Sequence, residues 1–178
     1  FAYHVVSDVL HAHNQVLIVA REPMKRGPIT GPPIAPSVPS NTLHVVFPDS
    51  GLEVLGFRMP AFSRKDMELK RETWNWLLGE AARLRNRKMI LTGDFNTAPG
   101  DPKGYCGDCL VQLAAAGWQH ALPATGFSWK HGASKVGRKI DHSFLTPSLE
   151  LREVTYSCTF QSLGCDAATG RVGCPDHA

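Results

Sequence analysis

The 178-residue sequence predicts a layered α/β domain with substantial antiparallel pairing. Three observations carry that prediction. Short apolar runs of strand length recur along the chain, two of them joined by a Pro-Asp-Ser-Gly turn. One long stretch repeats its apolar residues at helical spacing. The 16 glycines and 13 prolines favour a loop-rich fold over a helical bundle. The length is that of one domain, and such a chain buries roughly 70% of its unfolded surface without help from disulfides or metals. With 43% apolar and 20% charged residues the composition excludes wholesale disorder. The net charge of +3 is too mild to mark a nucleic-acid binder by itself. No apolar run approaches 18 residues, so no membrane span is expected.

The chain opens on apolar sequence at Phe1 and stops at Pro175-Asp176-His177-Ala178 without a polar tail. These blunt ends suggest a fragment, so the lack of a visible signal peptide carries no inference about compartment. Val16 to Ala20 reads as a short buried strand. Residues 27–39 hold five prolines and two glycines and read as a loop. Leu43–Phe47 and Leu52–Phe57, separated by Pro48-Asp49-Ser50-Gly51, form a hairpin. Ser63 and Asp66 can cap a helix whose Met67, Trp74, Leu77, Leu78, Ala81 and Leu84 share one face. Its basic end, Arg83, Arg85, Arg87 and Lys88, suits the helix dipole and reads as a solvated terminus. Met89-Ile90-Leu91 is the next strand, and Asp108–Ala116 a second helix closed by Gly117. Phe127–Lys130 and Lys139–Leu145 look like paired strands, and Leu149–Ser157 like another.

The five cysteines, Cys106, Cys109, Cys158, Cys165 and Cys174, leave at least one thiol unpaired within the chain. Cys106-Gly-Asp-Cys109 has C-x-x-C spacing but lacks the second pair that a zinc knuckle wants. Simple thiols are favoured over a disulfide, and a disulfide over zinc.

Three segments carry chemistry. In Gly93-Asp94-Phe95-Asn96 a buried strand delivers an acid and an amide two residues apart, on the same side if the strand continues. Asp supplies charge for a hard cation or a base for water, and Asn a donor for a phosphoryl oxygen or a guide for a nucleophile. The competing reading is an Asx-turn that closes the strand. In Lys139-Ile140-Asp141-His142-Ser143 alternation points Asp141 away from the face of Ile140 and His142. Pro175-Asp176-His177 pairs a carboxylate with an imidazole.

In this order, Thr92-Gly93-Asp94-Phe95-Asn96-Thr97, Arg138-Lys139-Ile140-Asp141-His142 and Cys174-Pro175-Asp176-His177 resemble the signatures of the endonuclease/exonuclease/phosphatase superfamily. Gly126-Phe127-Ser128-Trp129 resembles its aromatic strand, and the helix over 71–84 also has a counterpart there. The resemblance implies a four-layer α/β/β/α sandwich with two mixed, largely antiparallel sheets. Residues 1–178 would be a single such domain, incomplete at both ends. The implied activity is hydrolysis of a phosphate ester by in-line attack of water, with Mg²⁺ or Mn²⁺ as cofactor. A nuclease acting on DNA is the leading form, and another phosphate ester the alternative substrate. By the same resemblance Asp94 and Asn96 bind the attacking water and phosphate, and Asp94 and Asp176 serve the metal. His177 contacts the phosphoryl oxygen, with Asp141 holding its other ring nitrogen. Arg58 stands where many relatives carry His or Tyr, and its guanidinium can grip a phosphate. Lys130, Arg138 and Trp129 are the candidates on the substrate side, against a solvated hairpin tip and a core aromatic. The family's metal-binding glutamate, in a Gln-Glu context, has no counterpart: neither Glu22 nor Glu53 sits in that context. A rival expectation follows, a catalytically weak or inactive relative that binds phosphate or nucleic acid.

Overall fold

A computed structural model describes residues 1–8, 15–33, 41–61, 66–129, 137–156, 159–160 and 163–164. The strands are β1 (Tyr3–Val6), β2 (Leu17–Ala20), β3 (Lys25–Arg26), β4 (Thr42–Val46), β5 (Glu53–Arg58), β6 (Met89–Asp94), β7 (Gln119–Ala121), β8 (Asp141–Leu145), β9 (Thr159–Phe160) and β10 (Leu163–Gly164). The helices are α1 (Met67–Leu84) and α2 (Gly107–Ala115). Six strands form one mixed sheet in the order β3-β4-β5-β6-β8-β7. Only β5 and β6 run parallel, because α1 crosses over between them. The other neighbours are antiparallel. β1–β2 and β9–β10 are separate antiparallel pairs.

Alternation divides the large sheet into two faces. Leu55, Phe57, Met89, Leu91 and Phe144 point toward the helices and are buried against Trp74, Leu77, Ala81 and Leu84 of α1 and Leu110 and Leu113 of α2. Each such fully buried side chain contributes roughly 1.5–3 kcal/mol. On the other face Leu43, Val45 and Phe47 pack with Val5, Val16, Ile18 and Ala20 of the β1–β2 ribbon. Gly56 admits this approach, since a Cβ there would lie 2.8 Å from Val16 and 3.2 Å from Ile18. Among the described residues the result is a helix layer, a mixed sheet and a second, two-stranded antiparallel layer, three of the four layers of the α/β/β/α sandwich that the resemblance implies.

Several elements differ in detail from expectation. The expected pairing of Phe127–Lys130 with Lys139–Leu145 shrinks to a single bridge between Trp129 and Arg138. The edge of β8 is taken by β7, a three-residue strand too short to show an apolar period. Leu149 to Tyr156 forms no strand. Ser157 lies outside the described residues. The first helix starts at Met67, with Asp66 at its boundary; Ser63 lies outside the described residues.

Candidate active site

The site grows from the C-terminal end of β6. Gly93 takes a positive φ of 145°, and a Cβ there would sit 1.8 Å from the Phe57 carbonyl oxygen of the parallel neighbour. Glycine is therefore the residue that lets β6 end close beside β5. The strand stops at Asp94, and Asn96 adopts a left-handed φ of 47°. An Asx-turn closes it: the Asn96 backbone N–H donates to Asp94 Oδ1 at 2.8 Å. The Asn96 side chain folds back, and Nδ2 donates to Asp94 Oδ2 at 3.0 Å and to the Met59 carbonyl at 2.8 Å. Acid and amide thus share a side through the turn, not through strand alternation. Both amide protons are committed, so Oδ1 is the group Asn96 has left to offer.

Buried polar groups hold this turn from below. Lys70, 1% exposed, donates from Nζ to the Asn96 carbonyl at 2.6 Å. Trp74 Nε1 donates to Thr97 Oγ1 at 3.3 Å. His142 Nε2 lies 2.8 Å from the Thr97 carbonyl, so that nitrogen carries the proton. Its Nδ1 must then accept from His120 Nε2, 3.0 Å away. Both imidazoles are neutral at pH 7. Burial lowers the pKa of His142, and burial with the nearby His142 charge lowers that of His120 to about 4. Burial likewise lowers Lys70, against the opposing charges of Cys106, Asp101 and Asp94.

The face that the turn opens onto is charged. In register, Arg58 of β5 and Asp141 of β8 flank Asp94. Arg58 Nε lies 3.8 Å from Asp94 Oδ2. Cross-strand partners point to the same side, so Asp94 and Asp141 present two carboxylates on one face. Like charges set opposite each other repel, which makes the pair a natural seat for a cation. Ser128 Oγ accepts from the N–H groups of Ile140 and Asp141, each at 2.9 Å. The Tyr156 hydroxyl donates to the Asp141 carbonyl at 2.9 Å. Burial, with the Asp141 charge second, pushes the Tyr156 phenol up to about 12, so it stays a donor.

Beside Asn96 a cleft of about 300 Å³ is walled by Lys70, Asp101, Pro102, Tyr105 and Arg138. Arg138 binds both Asp101 oxygens, at 2.5 and 2.7 Å, and Asp101 accepts from the Ala98 N–H at 2.8 Å. The structure thus brings together Arg58, Asp94, Asn96 and Asp141 and sets Arg138 at the cleft, with Trp129 bridged to its backbone. Asp176, His177 and Lys130 lie outside the described residues. Lys70, His120, His142, Ser128 and Tyr156 carry no motif signal for their supporting roles. Only Ser128 and His142 fall inside segments that sequence singled out.

Asp94, Asp141 and Asn96 Oδ1 are hard oxygen donors, the set that Mg²⁺ or Mn²⁺ prefers. Among the described residues no group of three or more His, Cys, Asp or Glu side chains gathers as a metal cage. The donors present fit a metal held by few protein ligands and completed by water and substrate, the usual habit of Mg²⁺.

No protein-family description matches the chain, and neither does any curated protein sequence. Solved structures do. An AP endonuclease from Archaeoglobus fulgidus is similar over 83% of this chain and 67% of its own, with a TM-score of 0.70 and 16% identity. A mannosyl-6-phosphatase from Bacteroides thetaiotaomicron matches over 60% of this chain and 42% of its own (TM-score 0.40, 22% identity). The endonuclease domain of TRAS1, a telomere-specific non-LTR retrotransposon, matches over 60% and 50% (TM-score 0.39, 13% identity). The chain therefore spans two thirds of the archaeal endonuclease and half or less of the other two.

Proposed function

We propose that this chain, which has the fold of the endonuclease/exonuclease/phosphatase superfamily, is a divalent-metal-dependent phosphoesterase, in its leading form a nuclease. The observation that carries the reading is the Asp94–Asn96 turn at the end of β6, with Asp141 in register across the sheet and Arg58 3.8 Å from Asp94. An acid, an amide, a second carboxylate and a guanidinium so grouped suit the positioning of water and a phosphate ester. Asp94 would hold Mg²⁺ or Mn²⁺, and Asp141, which the resemblance pairs with the His177 ring, sets a second carboxylate in register beside it. The ion supplies Lewis-acid stabilisation of charge that develops on a phosphoryl oxygen.

The chain's own residues do the rest. Asn96 Oδ1 accepts a hydrogen bond from the attacking water and so orients its lone pair, because the amide protons are already committed. Asp94, fixed by two hydrogen bonds from Asn96, is the acceptor for the water's proton as attack proceeds. Arg58, at the rim, offers N–H donors to a non-bridging phosphate oxygen. In the family pattern His177 would contact the phosphoryl oxygen, with Asp141 holding its other ring nitrogen, and Asp176 would add a metal carboxylate.

The test is hydrolysis of plasmid DNA and of a generic phosphodiester in Mg²⁺ or Mn²⁺, with Asp94→Ala as control. Metal-dependent turnover that falls by about two orders of magnitude in the variant is expected. Turnover equal in the two proteins, or absent from both, would overturn the reading for this chain. Retained metal-dependent binding of DNA without turnover would favour the inactive, phosphate-binding alternative.

A further inference from the structure

The Cys106-Gly107-Asp108-Cys109 segment lies outside the phosphate chemistry and opens α2. Cys106 is the residue that precedes the helix, in a left-handed conformation with φ 65°, and its N–H bonds to the Lys103 carbonyl at 3.0 Å. Cys109, one turn in, donates its backbone N–H to the Cys106 carbonyl at 3.1 Å. The Cys109 side chain lies beside that of Cys106. Both thiols are free. Both residues are buried, and both belong to the wall of a cleft of about 330 Å³ that also includes Arg71, Lys103, Asp108 and Gln112. The Lys70 ammonium also stands near Cys106.

We propose that Cys106 and Cys109 are a redox-active dithiol that closes reversibly to an intrachain disulfide by exchange with a small anionic disulfide. The geometry sets the two cysteines one turn apart at a helix N-terminus and in the wall of one cleft, an arrangement that C-x-x-C redox pairs use. The cleft supplies access, and Arg71 and Lys103 suit an oxidant that carries carboxylates, such as glutathione disulfide. The Cys106 sulfur, as thiolate, attacks one sulfur of that disulfide; an S–S bond forms, and one glutathione leaves as thiolate. The Cys109 thiol then gives up its proton to the departing thiolate and attacks the Cys106 sulfur, and the second glutathione leaves. Two protein thiols are oxidised, and one disulfide is reduced to two thiols. The order of attack follows from position: Cys106 caps the helix at its N-terminus, whereas Cys109 lies inside the first turn and is left as the resolving partner.

This inference stands apart from the phosphoesterase reading and needs no turnover to test. The full chain is reduced, desalted and equilibrated in graded mixtures of reduced and oxidised glutathione. It is then acid-quenched, alkylated and mapped by mass spectrometry without reduction. The expected product is a Cys106–Cys109 link two hydrogens lighter than the dithiol, reopened when reduced glutathione is restored. Cys109→Ser should accumulate a glutathione adduct on Cys106 at about one per chain, whereas Cys106→Ser should form none on Cys109. Full alkylation of both thiols at every ratio would overturn the proposal. So would a bridge from either one to Cys158, Cys165 or Cys174. Mapping of the unsubstituted chain decides between these outcomes even where a variant fails to fold.

Discussion

Asn96 shows how a single residue can satisfy two sequence readings at once. Its Asx-turn with Asp94 closes the strand, and the same hydrogen bonds aim its remaining oxygen outward beside Asp94 and Arg58. The acid, the amide and Arg58 were legible because they sit in or beside a recognisable segment. The groups beneath them were not: Lys70 reads in sequence as a solvated helix lysine, yet it is buried under the turn it supports. His120 and His142 were equally hidden, since their contact spans 22 positions and no local pattern reports it. That pair makes stability depend on pH in a defined direction. An exposed histidine titrates near 6.5, whereas folding holds His120 down to about 4. Between those values the unfolded chain binds more protons than the native one, so stability falls with falling pH. The contribution is complete above pH 6.5 and is lost as pH drops through 4. It amounts to about 2 kcal/mol once partial exposure is allowed for, and His142 and His44, also lowered by burial, act in the same sense. Urea denaturation at pH 7, 5.5 and 4.5 should show the decline. His120→Gln, which keeps a donor for His142 Nδ1, should flatten it; an unchanged slope in that variant would remove His120 from the account.

At the scale of elements, long periodic segments were readable and short or paired ones were not. α1 announces itself through Trp74, Leu77, Ala81 and Leu84 at helical spacing, all buried as expected. The β4–β5 hairpin follows from its turn residues. β7 escaped notice because three residues carry no period, and residues 149–156 misled because apolar alternation alone does not secure a pairing partner. The junction of β5 and β6 offers a sharper contrast between two glycines. Gly93 carries a φ of 145° and has the Phe57 carbonyl where a Cβ would go, at 1.8 Å. Gly79, inside α1, has nothing within 4 Å of that position. Gly93→Ala should therefore cost about 3–5 kcal/mol, because backbone must move and strain is added. Gly79→Ala should stabilise by about 0.5–1 kcal/mol through helix propensity alone. Paired thermal and chemical denaturation would read both. A mild effect at Gly93 would mean that β6 can end beside β5 without the close approach that aims Asp94.

The whole molecule is arranged so that one sheet face is shared between packing and chemistry. The β1–β2 ribbon covers the β4–β5 half, through Ile18 and Val16 against Gly56 and the Leu43–Phe47 cluster. On the β6–β8 half of the same face the apolar Ile90–Leu145 pair gives way to the Thr92–Ser143 hydrogen bond at 2.7 Å and then to Asp94 and Asp141 at the end. Arg58 lies at the boundary, two residues beyond Gly56 on β5, so the ribbon's seat adjoins the site's edge. The ribbon alternates accordingly: Leu17 and Val19 face solvent, and Ile18 and Ala20 face the sheet. A charge placed on each side in turn tests whether the second layer is truly packed there. Ile18→Asp sets a carboxylate among Leu43, Val45 and Val54 and should destabilise by about 2–4 kcal/mol, the range for an unpaired polar group forced into an apolar interface. Val19→Asp, one residue along and 40% exposed, should change stability by less than about 1 kcal/mol. If the two variants unfold at the same urea concentration, the ribbon does not bury its inward face on the sheet. If Ile18→Asp alone falls and its residual native population also loses Arg58-dependent phosphate binding, packing on one half of the face positions chemistry on the other.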